Sequence, residues 1–131
     1  MKDINSGNIS MFETMIGDAR TISIVTHMKP DGDAMGSSMA MYHFLKSIGK
    51  SPKVILNDPY PPYLSFLVSE EASEDVFIFA DNPEKASDRI CSSDLVICLD
   101  FNAFHRTDRL EKPLARAKGR KMLIDHHLNP A

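Results

Sequence analysis

The chain of 131 residues has no tryptophan, two cysteines and almost no net charge. Its longest apolar runs, such as "LVICL", are far too short to cross a bilayer. The opening "MKDINSGNIS" contains no apolar segment of the secretory kind. Cys91 and Cys98 have no metal-binding spacing, and Cys98 sits in an apolar run, where a thiol packs as a small apolar group. These features read as a cytoplasmic protein without a disulfide framework or a thiolate zinc site. A formal charge of −3 provides no global basic field for duplex nucleic acid. There is no repeat, low-complexity tract or linker. What remains is ordinary globular material: 43% hydrophobic and 25% charged residues, enough for one domain with a buried core.

The pattern alternates strand and helix. Ile9, Phe12, Ile16 and Ala19 recur at helical spacing, which predicts a helix over about 8–19. "TISIVT" is a first strand. "AMGSSMAMYHFLKSIGK" predicts a helix over about 34–48, with Asp33 as N-cap and Gly49 as stop signal. "KVILN" is a second strand. The prolines of "DPYPPY" bar both a helix and a central strand there, and "YLSFL" is a short turn. "DVFIF" is a third strand, followed by a helix that Asn82 caps and Pro83 opens. "DLVICL" is a fourth strand, apolar throughout as a strand buried on both faces should be. A weak helix interrupted near Pro113 precedes a fifth strand, "KMLI". This order predicts an α/β domain over 1–131, with a mainly parallel open sheet of about five strands. Helices on both faces make three layers, and the ligand site lies at the carboxyl ends of the strands.

Chemistry-bearing residues concentrate at those ends. His27, Asp31 and Asp33 follow the first strand in "THMKPDGDAMGS", Asp100 follows the fourth, and Asp125, His126 and His127 follow the fifth. The ends of the second and third strands, "LND" and "FAD", are less concentrated. Clustered carboxylates repel unless cations neutralise them, so the set favours two divalent metal ions. Mixed carboxylate and imidazole donors suit Mn²⁺, with Mg²⁺, Co²⁺, Fe²⁺ or Zn²⁺ as alternatives. Pro30 and Gly32 would reverse the chain, while Gly36 and Ser37 keep the next helix slim beside a phosphate. Each piece alone has a plainer reading: Pro-Asp-Gly-Asp as a turn and cap, a strand-end aspartate as a turn residue, a His-His pair as solvated. A calcium loop is excluded because Met35 and Tyr42 stand where oxygen ligands are needed, and the glycines lack dinucleotide-fingerprint spacing.

Together these stretches resemble the motifs of the DHH phosphoesterase family. "HMKPDGDAMGS" is similar to the first motif, "LD" at 99–100 to the second, and "DHH" at 125–127 to the third. The resemblance runs from about residue 20 to the C-terminus. Within the family the chain looks most like bacterial oligoribonucleases that also remove the 3′-phosphate of adenosine 3′,5′-bisphosphate. It implies that His27 and Asp31 hold one Mn²⁺, Asp33 and His126 the other, and that Asp100 bridges them. It assigns catalytic roles to Asp100, Asp125 and His127, with attack on phosphorus in line. His127 would contact the scissile phosphate, and Asp125 would orient a ligand. Arg106 reads equally as a phosphate ligand or as a solvated surface arginine. The partner would be a small nucleotide or short single-stranded oligonucleotide, not duplex nucleic acid or a membrane.

The family's fourth metal-binding aspartate and its C-terminal substrate-binding domain are not found in these residues, so the chain reads as the N-terminal part of the enzyme and poorly active by itself. An open fifth strand would then invite self-association. Alternatives are an inorganic pyrophosphatase or cyclic-dinucleotide phosphodiesterase of the same family, or a non-catalytic metal- or nucleotide-binding module. His43 reads as a helix surface or packing residue instead of a ligand, and Met35 and Met39 as packing against the sheet. Met41 shares their helix, Tyr60 and Tyr63 read as a packed loop ahead of a platform for stacking on a base, and His105 has no assignment.

Overall fold

The computed structural model describes residues 6–26, 32–99, 111–117 and 119–124. The described chain runs α1 (Ser6–Asp18), β1 (Ile22–Thr26), α2 (Gly32–Ser47) and β2 (Lys53–Leu56), then a 3₁₀ turn over Pro62–Leu67. It continues with α3 (Glu70–Ser73), β3 (Val76–Ile78), α4 (Pro83–Ser92), β4 (Leu95–Leu99), α5 (Glu111–Arg116) and β5 (Arg120–Ile124). The five strands form one sheet in the order β3-β2-β1-β4-β5, and every pairing is parallel.

Strand alternation divides the core into two layers. Ile22 and Ile24 of β1, Val54 and Leu56 of β2, and Leu95, Ile97 and Leu99 of β4 face one way. They meet Ile16 of α1, Met35, Met39, Tyr42 and Leu45 of α2, Leu64 of the 3₁₀ turn and Ala72 of α3. Val25, Ile55, Val96 and Cys98 face the other way, against Ala86 and Ile90 of α4 and Ala117. The central strands are therefore buried on both faces, which is why they read as continuous apolar runs. Removing each of the valine, leucine, isoleucine and methionine side chains among them from water contributes about 1.5–3 kcal/mol. Burial pushes the Cys98 thiol up to about 12, so it stays protonated and packs as an apolar group.

Most boundaries follow local chemistry. Gly49 adopts φ +87°, the Lys50 N–H reaches the Leu45 carbonyl at 2.9 Å, and the Gly49 N–H reaches that of Lys46 at 3.1 Å. This is a Schellman end, and only glycine takes that φ without strain. The Asn82 side chain accepts from the Lys85 N–H at 3.2 Å, as its cap position requires. Met35 and Met39 are buried in the core, while His43 is exposed and meets the Tyr42 ring edge-on.

Three expectations need correction, and one element is new. The second helix begins at Gly32, so Asp33 lies inside its first turn instead of capping it. Pro113 does not interrupt α5, because it is the third residue of that helix, where a backbone N–H has no acceptor within the helix anyway. Tyr63 is 73% exposed, so only Tyr60 of that pair packs against the core. The short α3 was not foreseen, although Ser69 before two glutamates is a capping signal: its hydroxyl accepts from the Ala72 N–H at 3.1 Å.

Candidate active site

The two ends of the sheet differ in how their polar groups are used. At the amino ends, charges and hydroxyls pair among themselves. Asp94 accepts from the Arg20 N–H at 2.9 Å and the Thr21 N–H at 3.3 Å, and these donors hold its carboxyl below the usual range. The Ser23 and Ser93 hydroxyls meet at 2.6 Å, and Arg89 donates to the Ile22 carbonyl at 3.1 Å. Asp75, just before β3, accepts from both Lys53 and the Tyr42 hydroxyl. Burial alone would push the Asp75 carboxyl up, but those two donors outweigh it and its pKa falls. Such a network fastens the strand starts to α2 and α4.

The carboxyl ends are arranged differently. Consecutive strands β1, β2 and β3 are laid down on one side, while β4 and β5 lie on the other side of β1. The strand order thus reverses between β1 and β4, the place where open parallel sheets form a binding crevice. Thr26, the last residue of β1, pairs with Leu99, the last of β4, and Leu99 pairs with Ile124, the last of β5. Three neighbouring strands are therefore level with one another at their last described residues. The buried Thr26 hydroxyl donates to the Leu99 carbonyl at 3.4 Å, tying together the strands that flank the switch point.

The residues next along the chain from these ends are His27, Asp100 and Asp125. They lie outside the described residues, as do Asp31, His105, Arg106, His126 and His127. Asp33 is placed in the first turn of α2. Further into that helix, a Cβ built on Gly36 would meet nothing within 4 Å among the described residues. Among the described residues, no three His, Cys, Asp or Glu side chains form a metal-sized group.

One polar residue at this edge carried little weight in the sequence. Asn57 follows β2 directly and is fully buried. Its amide nitrogen donates to Asp58 at 3.0 Å, and its backbone carbonyl accepts from the Ala80 N–H at 3.2 Å. Its side-chain oxygen Oδ1 is buried with no hydrogen-bond partner among the described residues. Leaving such an oxygen unmet costs about 1–3 kcal/mol, so native folds seldom tolerate it without a reason. The available signal was a polar residue straight after an apolar strand at the ligand-binding edge. A separate groove of about 190 Å³ lies beside β3, lined by Val76, Phe77, Ile78, Asp81, Asn82 and Lys85. There the Lys85 ammonium sits 4.4 Å from the centre of the Phe77 ring.

An all-parallel three-layer α/β domain with acid- and imidazole-bearing segments after three strands that end in register defines a class: a phosphate-handling α/β hydrolytic domain. Residues 21–131 match the model of the DHH family, N-terminal domain, and the chain belongs to this family of metal-dependent phosphoesterases. Over 54 residues it is 48% identical to the bifunctional oligoribonuclease and PAP phosphatase NrnA of Thermus thermophilus, a match covering 41% of this chain and 16% of that protein. The crystal structure of an exopolyphosphatase-related protein from Bacteroides fragilis superimposes with a TM-score of 0.88 at 39% identity. That match takes in 100% of this chain and 38% of the other, so the chain spans well under half of its structural relative.

Proposed function

We propose that this chain is the metal-binding part of a phosphoesterase acting on small nucleotides, either short oligonucleotides or the 3′-phosphate of adenosine 3′,5′-bisphosphate. The observation carrying this reading is the common level at which β1, β4 and β5 end across the switch point. The three motif segments follow those strands directly in the sequence. The name of the Thermus relative supports the substrate class.

The donor chemistry fits two hard divalent cations, Mn²⁺ foremost. It offers carboxylates and imidazoles, the nearby Cys98 remains a protonated thiol, and a buried amide oxygen at the same edge awaits a donor or cation. His27 and Asp31 would hold one ion, Asp33 and His126 the other, with Asp100 shared. Bound there, the ions would polarise the phosphate and make water a better nucleophile at neutral pH. The chain's own residues do the rest. His127 and Arg106 bind phosphate oxygens, His127 assists the leaving oxygen, and Asp125 orients a neighbouring ligand. Association through β5 belongs to the same proposal, since β5 has one strand neighbour, β4, among the described residues. A sedimentation run showing only monomer at high concentration removes that part.

The test combines Mn²⁺ titration by calorimetry with hydrolysis of a dinucleotide and of adenosine 3′,5′-bisphosphate, using wild type and Asp100→Asn. Two sites and hydrolysis abolished by Asp100→Asn in a folded protein are the expected result. Full activity of Asp100→Asn refutes the metal assignment. One weak site without hydrolysis would make the chain a binding module, and no metal binding would sink both readings. A second reading, cleavage of phosphoanhydrides such as pyrophosphate, draws on the name of the Bacteroides fragilis structure. Pyrophosphate belongs in the same assay, and its preferential hydrolysis would favour that reading.

A further inference from the structure

β1 carries two buried hydroxyls, and they are met differently. Ser23, near the strand's start, shares a 2.6 Å hydrogen bond with Ser93. Thr26, its last residue, is fully buried and donates to the Leu99 carbonyl of β4 at 3.4 Å. A bond that long returns less than a hydroxyl loses on leaving water. Valine has the same branched outline and suits a strand buried on both faces. On stability alone position 26 would be valine, so the hydroxyl points to a function. Its place in the sheet says which. Thr26 and Leu99 are register partners across the switch point. One peptide bond beyond each, the sequence has His27 and Asp100. Neighbouring Cα atoms are held about 3.8 Å apart, so the separation of Thr26 and Leu99 bounds that of the two residues that follow.

We propose that Thr26 is a positioning residue whose hydroxyl clasps β1 to β4 at their carboxyl ends and so sets the spacing of the metal-binding residues that follow. This rests on the reading of His27 and Asp100 as metal ligands. Thr26 touches no ion; it acts through the main chain of two strands, where no side-chain rotation can undo its effect. The fold gives up some stability at this position to fix the strand ends, an exchange typical of functional sites.

The test is Mn²⁺ titration by calorimetry beside thermal unfolding, on the full chain and its variants Thr26→Val, Thr26→Ser and Thr26→Ala. Thr26→Val should keep Tm at or above that of wild type and weaken Mn²⁺ binding about 10-fold. Thr26→Ser retains the hydroxyl and should retain the affinity. A hydroxyl with a merely structural role gives the opposite pattern, a lower Tm and unchanged affinity in Thr26→Val, and that result overturns the proposal. If the valine variant does not fold, Thr26→Ser and Thr26→Ala carry the comparison, since they differ in the hydroxyl alone. Equal Mn²⁺ affinity in that pair overturns the proposal as well. A wild type that binds no Mn²⁺ removes the metal reading and this proposal with it. Wild-type binding matched by folded Thr26→Val removes this proposal alone.

Discussion

Gly119, immediately before β5, is the position where one added carbon should do most damage. A Cβ there would stand 2.1 Å from the Ser93 carbonyl oxygen, 2.6 Å from that of Asp94 and 2.7 Å from the Asp94 carbonyl carbon. All three are backbone atoms, so no side-chain rotation can relieve the contact. Separation by about 1.3 Å would be needed to bring the Ser93 oxygen to ordinary van der Waals distance. That movement pulls on the Arg120 N–H, which donates to the Asp94 carbonyl at 2.9 Å. Forced overpacking of this kind costs about 1–3 kcal/mol. Losing the hydrogen bond adds about 1 kcal/mol, and the stiffer unfolded chain returns about 0.4–1 kcal/mol. The net expectation for Gly119→Ala is about 1–3.5 kcal/mol of destabilisation. At about 4 °C per kcal/mol for a domain of this size, Tm should fall by roughly 4–14 °C. Urea unfolding should show a lower midpoint at unchanged slope. Gly17→Ala is the control, because its added carbon meets nothing within 4 Å and lies in the last turn of α1. It should gain about 0.5–1 kcal/mol. If Gly119→Ala melts within about 2 °C of wild type, the close approach of the β5 start to Ser93 and Asp94 is wrong.

The Tyr42 hydroxyl, buried and hydrogen-bonded to Asp75, has a pKa pushed up to about 12, burial being the larger cause. The folded state therefore favours the neutral phenol: its contribution is complete below pH 10 and is lost as pH rises from about 10 to 12. Two pKa units would amount to at most about 2.7 kcal/mol, and solvent near Asp75 reduces this to about 1–2 kcal/mol. Tyr42→Phe should flatten the stability profile of that alkaline range and cost about 1 kcal/mol at pH 7, read by urea unfolding at stepped pH; an alkaline limb identical to wild type would contradict it. Asn82→Ala removes the cap on α4 and should lower stability by about 1 kcal/mol, so a Tm unchanged by the substitution would show that the Lys85 N–H is satisfied otherwise.

The sheet was legible because its strands are short, apolar and separated by polar or proline-bearing segments. "LVICL" and "ISIVT" can be little else than strands buried on both faces. α4 was legible down to its cap, since asparagine and proline each act through local geometry. α3 escaped because a single turn has no periodicity to read, and Pro113 misled because its effect depends on where the helix starts. The site was legible in the opposite way. Aspartates and histidines scattered across a hundred residues have no local meaning, but motif order and spacing matched a family. Asn57 carried no such signal. Its significance lies in an oxygen without a donor, a property of packing that a string of letters does not contain.

The sheet order also accounts for which strands carry the motifs. β1 and β4 flank the switch point, the place where open parallel sheets form a crevice at their carboxyl ends. β5 adds a third end at the same level through its pairing with β4. β2 and β3 lie on the other flank, and there the polar groups are folded into turns: Phe79 donates to Leu56, and Ala80 to Asn57. At the opposite edge Asp94, Arg89, Lys53, Asp75 and Tyr42 are consumed in holding strands to helices. Charge at the amino edge is therefore tied to stability, whereas the proposed function gives charge at the carboxyl edge to a ligand. Neutralising Asp75 should accordingly move Tm while leaving Mn²⁺ affinity in place, and neutralising Asp100 should do the reverse. A variant set in which both substitutions changed both quantities equally would deny that the two edges are separate.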